Sequence, residues 1–351
     1  MAQSFRCDFG TTAAGERVEL LTLNHGELSC RIITFGATLH TLCVPDRDGK
    51  NMDVVLGYDT LEEYQTHDAY VGAVVGRYAN RIAKGRFTLH DQTYVLAVNN
   101  GPNHLHGGIV GFSHRVWKVD ELTENQAVLS LDSPDGEEGY PGHLCVKVTY
   151  TLEKNGLTIR YQARSDKDTP CNLTNHAYFN LAGQGTGFVL DQEIAIFAQF
   201  YTPTDADSIP LGWEEPVENT PMDLRTLTPI GAKIGEPFLQ LIQGKGYDHN
   251  YVLDGEMGHL RPAAQAYCDT TGIEMQVETT LPGVQFYTAN FLEEGRAGKN
   301  GAVYGPRHGF CLETQFYPDS PNQGAFPSSV LKAGEEFDHT TRFIFGCRDK
   351  V

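Results

Sequence analysis

Apolar and polar residues alternate with a period of two along much of the chain, as in strands that have one buried face. The clearest case begins at residue 144, where five apolar side chains share one face: Leu144, Val146, Val148, Tyr150 and Leu152. Asn155-Gly156 then supplies a positive-φ turn, and the alternation resumes over residues 157–163. Residues 144–163 are therefore predicted to form a β-hairpin with one apolar face and one wetter face.

Shorter segments of the same kind are separated by clusters of Gly, Pro, Asn and Asp, which are typical of turns. They predict strands at residues 16–23, 28–34, 85–96, 126–132, 274–280 and 284–291. Helical signals are few: residues 60–64, where Thr60 and Glu63 have the spacing of a capping box, and residues 238–243. The pattern predicts an all-β fold with few short helices.

The only proline-rich stretch is residues 201–225, and the strand patterns on its two sides are of the same kind. We therefore expect a long surface loop within one large sandwich and not a linker, so that residues 1–351 form a single domain. The composition supports a globular chain, since 40% of the 351 residues are hydrophobic and 18 Phe and 16 Tyr are available for a core.

Charge and cysteine usage exclude several classes of partner and location. Lys and Arg number 27 against 45 Asp and Glu, and the net charge of −18 has the wrong sign for nucleic-acid binding. No stretch approaches the ~20 apolar residues that span a bilayer, and the amino terminus does not resemble a signal peptide. Eight cysteines without a CxxC pair indicate free thiols rather than zinc or disulfides. We expect a cytoplasmic protein with no nucleic-acid or membrane partner.

Polar residues stand where two of the strand patterns should be apolar. In residues 309–316, alternation places Cys311, Glu313 and Gln315 on one face. In residues 175–181, it places three polar side chains together, facing water or a cavity: His176, Tyr178 and Asn180. Polar clusters also occur at residues 99–108 and 246–250. A single Glu or His on a strand is most often a solvated or hydrogen-bonded structural residue, so alternation alone does not rank Glu313 above other carboxylates.

His104 and His106 are two residues apart and could together ligate a metal. No third ligand stands at a recognisable spacing, which argues against a metal site. The chain also has no GxGxxG between a strand and a helix and no GxxxxGK[ST], so the sequence predicts no nucleotide cofactor.

Six segments, in order along nearly the whole chain, resemble motifs of the aldose 1-epimerase (galactose mutarotase) family. They are residues 76–82 (GRYANRI), 103–108 (NHLHGG), 174–181 (TNHAYFNL), 246–250 (GYDHN), 282–288 (PGVQFYT) and 309–315 (GFCLETQ). The chain departs from the family at residues 111–114, which read GFSH where the family often has GFDK. That departure lies outside the motifs with catalytic residues.

The resemblance implies a large antiparallel β-sandwich, a galactose mutarotase-like supersandwich with a sugar-binding cleft. It also implies interconversion of the α- and β-anomers of free aldohexoses such as D-galactose and D-glucose. Matched motif by motif, Glu313 is the general base and His176 the general acid. The resemblance also implies five substrate-binding residues: His106, Asp248, Arg81, Asn80 and Gln285. Anomer exchange moves protons and opens and recloses a ring, so it requires no cofactor and no metal. The small-molecule aldose is the expected partner, and the chain is expected to be a monomer or a homodimer.

Three alternatives remain open from the sequence. The same scaffold could serve a non-catalytic carbohydrate-binding protein, although Glu313 and His176 both occur in their family contexts. A metal-dependent β-sandwich enzyme would use His104 and His106. A hexose-6-phosphate epimerase would need a cluster of Arg or Lys for the phosphate dianion, and the matched motifs supply Arg81 but no such cluster.

Overall fold

The computed structural model describes residues 5–67 and 69–349, and in this part of the chain antiparallel strands dominate. The largest sheet has nine strands, which in spatial order are Lys118–Leu122, Gln126–Ser133, Leu144–Glu153, Gly156–Ser165, Glu336–Cys347, Ile273–Thr279, Arg261–Tyr267, Glu193–Ile196 and Thr228–Pro229. The predicted hairpin lies inside this sheet, with one face buried along its whole length. The predicted strands at 126–132 and 274–280 are confirmed as its members.

The turn of the hairpin differs from the prediction. Glu153 pairs with Gly156, so the turn consists of Lys154 and Asn155 and not of Asn155-Gly156. Gly156 serves a different purpose, because a Cβ atom there would lie 2.4 Å from the carbonyl oxygen of Phe343 in the neighbouring strand. The glycine is thus required by the close approach of two backbones within the sheet.

The described residues form two further large sheets of five strands each. The first consists of Arg6–Thr11, Arg17–His25, Leu28–Ile33, Thr38–Pro45 and Asn51–Asp53, and it confirms the predicted strands at 16–23 and 28–34. The second, which we call the site sheet, consists in spatial order of Glu215–Pro216, Ala198–Tyr201, Asp248–Leu253, Gly283–Tyr287 and Cys311–Gln315.

One continuous apolar core joins the three sheets. It contains Leu21 and Ile32 of the first sheet and Val148 of the nine-stranded sheet, together with Phe286 and Leu312 of the site sheet. The two smaller sheets therefore both pack against the large one, and the antiparallel β-sandwich expected from the sequence is confirmed. Because the inner face of the site sheet is apolar, its other face is free to carry polar residues.

Short elements connect these sheets. Two-stranded pairs are formed by Arg81–Ile82 with His104–Leu105, Val74–Val75 with Thr174–Asn175, Arg86–Leu89 with Gln92–Val95, Thr169–Pro170 with Val330–Leu331, and Arg296–Ala297 with Val303–Tyr304. Five 3-10 turns occupy Ala83–Gly85, Phe112–His114, Glu137–Gly139, Lys299–Gly301 and Ser320–Asn322.

The two α-helices of the described residues are short and lie where the sequence places them, at Leu61–Thr66 and Leu239–Gly244. The capping box is present, since Thr60 Oγ1 accepts from the backbone N–H of Glu63 and the Glu63 carboxylate accepts from the N–H of Thr60. Neither helix is long and apolar enough to cross a bilayer.

Two predicted strands have different bounds. Residues 85–96 form a hairpin and not one strand, because His90 and Asp91 adopt positive φ angles of 50° and 60° and reverse the chain. The strand predicted at 284–291 ends at Tyr287, two residues before Ala289, which has a left-handed φ of 52°. Within the proline-rich stretch, Glu215–Pro216 forms the edge strand of the site sheet.

Candidate active site

The outer face of the site sheet is polar because of its register. Gln285 pairs with Asn250 on one side and with Glu313 on the other, and Tyr287 pairs with Asp248. Side chains that oppose each other in an antiparallel sheet point to the same face. Three residues from distant motifs, Asp248, Gln285 and Glu313, are therefore brought together by strand pairing alone.

His176 reaches this face from outside the site sheet. The strand predicted for residues 175–181 is only partly formed: Thr174–Asn175 is a strand, and Phe179 makes isolated bridges to Val55 and Phe310. The backbone of His176 is held by Ala73, whose carbonyl accepts its N–H at 2.8 Å. Of the predicted polar trio, His176 and Tyr178 line the cavity described below.

Asn180, the third member of the trio, is a structural residue. Its Nδ2 donates to the carbonyl oxygens of Gly187 and His308, and its Oδ1 accepts from Gln192. The alternation was therefore correct in separating polar from apolar residues, but it did not distinguish a buried hydrogen-bonded amide from a cavity-facing one.

His106 is oriented by the backbone of Asn80. The N–H of Asn80 donates to Nδ1 of His106 at 3.1 Å, and the N–H of His106 donates to the carbonyl of Asn80 at 3.1 Å. Both residues have positive φ, 63° and 49°. The next residue, Gly107, has no room for a side chain, because a Cβ there would lie 1.8 Å from the carbonyl oxygen of Gly76. Since Nδ1 accepts a hydrogen bond, the neutral ring carries its proton on Nε2 and is a donor there.

These segments enclose a cavity of about 330 Å³, which is within the size range of small-molecule sites, about 300–1,000 Å³. Six of the seven residues that the family resemblance singled out line it: Asn80, Arg81, His106, His176, Asp248 and Glu313. Polar hydrogen-bonding groups converge here from five separate parts of the chain. A cavity of this size and lining suits one hydroxyl-rich ring.

Gln285 lies behind Asp248. Its Nε2 donates to Oδ1 of Asp248 at 2.7 Å, and its Oε1 accepts from Nε2 of Gln315 at 3.2 Å. Its contact with the cavity is thus through Asp248, whose carboxylate it orients. Burial raises the pKa of Asp248, and the charge of Arg81 and the hydrogen bond from Gln285 oppose that rise.

His176 and Glu313 face each other across 3.6 Å, measured from Nε2 to Oε2. Glu313 is 2% exposed, and its Oε2 makes no hydrogen bond among the described residues. Burial, reinforced by the charge of Asp248, raises the pKa of Glu313 well above its usual value, and Arg81 opposes this shift. Burial lowers the pKa of His176 to about 4. Both shifts favour the neutral forms, so the pair is suited to exchanging one proton with a ligand.

Aromatic side chains form much of the remaining wall: Tyr70, Tyr178, Tyr287 and Phe291. The ring centroid of Tyr70 is 4.7 Å from that of His106 and 6.0 Å from that of His176. Only Tyr178 was a candidate from the sequence. Tyr287 could have been found, since alternation puts it on the same face as Gln285, whereas the backbone of Tyr70, with φ of 52°, follows no pattern in the sequence.

The proline-rich stretch also contributes to the site. Ala206, Asp207 and Ser208 line the cavity, and the carbonyl of Asp207 accepts from Nδ2 of Asn103 at 3.3 Å. The sequence analysis treated this stretch only as a surface loop. No local signal indicates that its tip meets the loop at residues 100–103.

The metal pair considered from the sequence, His104 and His106, is not brought together. Nδ1 of His104 lies 2.7 Å from the carbonyl of Ala97, and its Nε2 lies 2.6 Å from the hydroxyl of Tyr140. Both ring nitrogens are therefore occupied. Two other groups of ligating atoms lie within 4.8 Å of one another: His106 with His176 and Glu313, and the exposed Asp132, His143 and Cys145. In the first group, the N–H of Asn80 opposes ligation, because a metal on Nε2 of His106 would require the proton on Nδ1.

The geometry thus provides a buried carboxylate and an imidazole at the same small cavity, with amide, guanidinium and carboxylate groups around them. Such a pair can remove a proton from one oxygen of a ligand and deliver one to another. The surrounding groups can bind several hydroxyls at defined positions.

Comparisons with known proteins agree with this geometry. The family model described as aldose 1-epimerase matches residues 19–343. The galactose mutarotase of Mus musculus is 48% identical over 333 residues, covering 95% of each chain, and that of Bos taurus is 47% identical over 346 residues, covering 98% of this chain and 99% of its own. The crystal structure of a GalM/aldose epimerase homologue from C. elegans superposes with a TM-score of 0.86 at 30% identity, covering 94% of this chain and 99% of its own. The chain therefore belongs to the aldose 1-epimerase family and is an epimerase that acts on aldoses.

Proposed function

We propose that the enzyme interconverts the α- and β-anomers of free D-galactose and D-glucose, with Glu313 as general base and His176 as general acid. The observation that carries the proposal of an acid–base pair is the 3.6 Å approach of Nε2 of His176 to Oε2 of Glu313 at the cavity. Galactose is supported by the names of the mouse and bovine relatives. Glucose differs from it by the configuration of one hydroxyl.

Ring opening requires Glu313 ionised and His176 protonated, the arrangement of the pair that carries the same single proton as the neutral arrangement favoured by burial. Ionised Glu313 takes the proton of the anomeric hydroxyl, the bond between C1 and the ring oxygen breaks as the C1 carbonyl forms, and protonated His176 gives its Nε2 proton to the ring oxygen. After this step Glu313 and His176 are both neutral, which is the state that burial favours. Rotation about C1–C2 and reversal of the same transfers yield the other anomer. The pair holds one proton before each reaction and again after it.

Substrate positioning is assigned to the remaining polar groups of the cavity. His106 offers an Nε2–H donor, since Nδ1 accepts from Asn80. Asp248 offers a carboxylate that accepts from sugar hydroxyls, and Arg81 supplies a guanidinium whose Nε also donates to Asn100. Asn80 acts on the sugar mainly through His106, and Gln285 through Asp248. A hydroxyl of the wrong configuration would leave one of these buried groups unpaired, at about 1–3 kcal/mol.

The proposal also covers the domain organisation, oligomeric state and cellular location of the enzyme. We infer that residues 1–351 work as one domain in the cytoplasm, as a monomer or homodimer. Glu313 and His176 of a single chain meet at one cavity. Gel filtration with light scattering tests the oligomeric state, and a mass above that of two chains would contradict this inference.

The test is polarimetric. The enzyme should accelerate the drift in optical rotation of freshly dissolved α-D-galactose and α-D-glucose, and an unchanged drift with both sugars would refute the proposal. Glu313→Gln and His176→Asn should each lower kcat by about 10²–10⁴-fold with circular dichroism and unfolding midpoint retained. Matched exposed controls, Glu121→Gln and His25→Asn, should keep full activity.

A further inference from the structure

Cys311 lies directly behind the imidazole of His176. Its Sγ is 3.6 Å from Nδ1 of His176, on the side of the ring opposite to Glu313. Cys311 and Glu313 are two residues apart in one strand, so their side chains share a face. Cys311 is fully buried, and so the thiol meets the imidazole without competition from bulk water. One strand thus positions groups on both sides of the same ring.

The proton exchange proposed above requires a hydrogen-bond acceptor for Nδ1 of His176. Nε2 gives a proton to the ring oxygen and takes it back, so Nδ1 must keep its own proton throughout. A buried Nδ1–H needs an acceptor that stays in place. Sulfur is a weak acceptor, and 3.6 Å is a hydrogen-bonding distance for it.

We propose that Cys311 is a positioning residue for mutarotation: its sulfur accepts the Nδ1–H of His176, fixes the tautomer of the ring and aims Nε2 at the sugar. The inference rests on the proposed role of His176. In many acid–base histidines a carboxylate accepts the hydrogen bond from the second ring nitrogen, and here a neutral thiol accepts it.

A thiol and a carboxylate beside Nδ1 have different effects on the acidity of His176. Burial raises the pKa of the Cys311 thiol well above its usual value, and the charges of Glu313 and Asp248 add to this rise. Cys311 therefore stays uncharged at working pH and does not stabilise the imidazolium as an anion would. The other titratable groups that face His176 are Glu313, His106 and the tyrosines Tyr70, Tyr178 and Tyr287, and a hydrogen bond with its own backbone opposes the lowering of its pKa by burial. With the tyrosines neutral at working pH, His176 remains a strong acid, able to protonate a weakly basic ether oxygen.

Removing the sulfur gives the direct test. Cys311→Ala should lower kcat about three- to tenfold, the loss of one modest hydrogen bond, with KM nearly unchanged. The acid limb of the pH–rate profile should move to lower pH, because an acceptor at Nδ1 favours the protonated ring. Cys311→Ser, whose hydroxyl oxygen can accept, should recover part of kcat. Cys268→Ala, a buried thiol outside the cavity, is the matched control and should leave kcat and the profile unchanged.

The tautomer is measured independently of activity by ¹⁵N NMR of histidine-labelled enzyme, with His176 assigned by the His176→Asn spectrum. Wild type should show His176 protonated on Nδ1, and Cys311→Ala should show mixed tautomers. Unchanged kcat, unchanged profile and an unchanged tautomer in Cys311→Ala would overturn the inference. If the tautomer of His176 depends on Cys311 but the protein has no mutarotase activity, the hydrogen bond is supported and the proposed function is refuted.

Discussion

At the residue scale, the site depends on ionisable groups that the protein surrounds closely. Glu313 and His176 are both nearly inaccessible to solvent, and each is shifted towards its neutral form by burial. An ordinary Glu, with a pKa of about 4.3, would be a weak base at neutral pH. Raising the pKa of Glu313 brings it closer to the working range, which suits this carboxylate to the proposed role of general base.

The pH dependence follows from the single proton that the pair holds. In the proposed mechanism activity requires that proton, so kcat/KM should fall where a second proton binds and again where the proton is lost. Because burial lowers the pKa of His176 to about 4, we expect the acid limb well below pH 6.5 and a level profile at neutral pH. The alkaline limb reports loss of the shared proton. An acid limb centred near 6.5, measured polarimetrically with galactose, would contradict this assignment.

Gln285 provides a second prediction at this scale. Replacing it by Leu removes the donor to Asp248, so Asp248 loses its fixed orientation towards the sugar. We expect KM to rise about three- to tenfold, as for one hydrogen bond, with a smaller change in kcat. The same substitution at exposed Gln276 should change neither constant. A Gln285→Leu enzyme with normal KM would show that Asp248 needs no such support.

At the scale of elements, register decides both the core and the site. Pairing of Gln285 with Asn250 and Glu313 sets polar groups side by side, and a slip of one residue would turn Glu313 into the apolar core. Phe286 and Leu312 on the inner face make such a slip costly, since both are buried among the three sheets.

Gly156 tests how closely two strands approach in the nine-stranded sheet. In Gly156→Ala the added Cβ would meet the carbonyl oxygen of Phe343 at 2.4 Å, and relief requires backbone movement. The free energy of unfolding in urea should fall by about 1–3 kcal/mol. Gly346→Ala, in the same neighbouring strand and with no atom within 4 Å of its Cβ, should change it by less than about 0.5 kcal/mol. Equal effects would mean that the sheet relaxes freely at residue 156.

At the scale of the whole molecule, the net charge of −18 favours neutral substrates over anionic ones. Asp248 and Glu313 line the cavity, with Arg81 as the guanidinium among the lining residues. An acidic protein repels a phosphate dianion during approach, and salt screens that repulsion.

We therefore expect kcat/KM for glucose 6-phosphate to be lower than for glucose, and the gap to narrow as ionic strength rises from about 10 to 150 mM. Polarimetry or NMR of anomer exchange measures both substrates in the same buffers. A preference for the phosphate, or a gap that does not respond to salt, would favour the hexose-6-phosphate alternative.

The sequence by itself determined what is local. Period-two alternation identified the hairpin at 144–163 and the strand that carries Glu313, because side chains alternate between faces whatever the tertiary context. Capping at Thr60 is equally local. The six motifs identified the family and with it the catalytic candidates. The bounds were wrong at positions such as His90-Asp91 and Ala289, where the chain turns through left-handed backbone angles that residues other than glycine rarely adopt and that no glycine marks here.

Tertiary structure alone decided which polar groups meet. His176 and Glu313 are far apart in the chain, and their 3.6 Å approach results from sheet pairing and packing, which no local pattern records. The same holds for Gln285 behind Asp248, for Tyr70 beside His106, and for Cys311 behind His176. Burial sets the pKa values in the same way, since desolvation depends on every neighbour that excludes water and not on the residue that titrates.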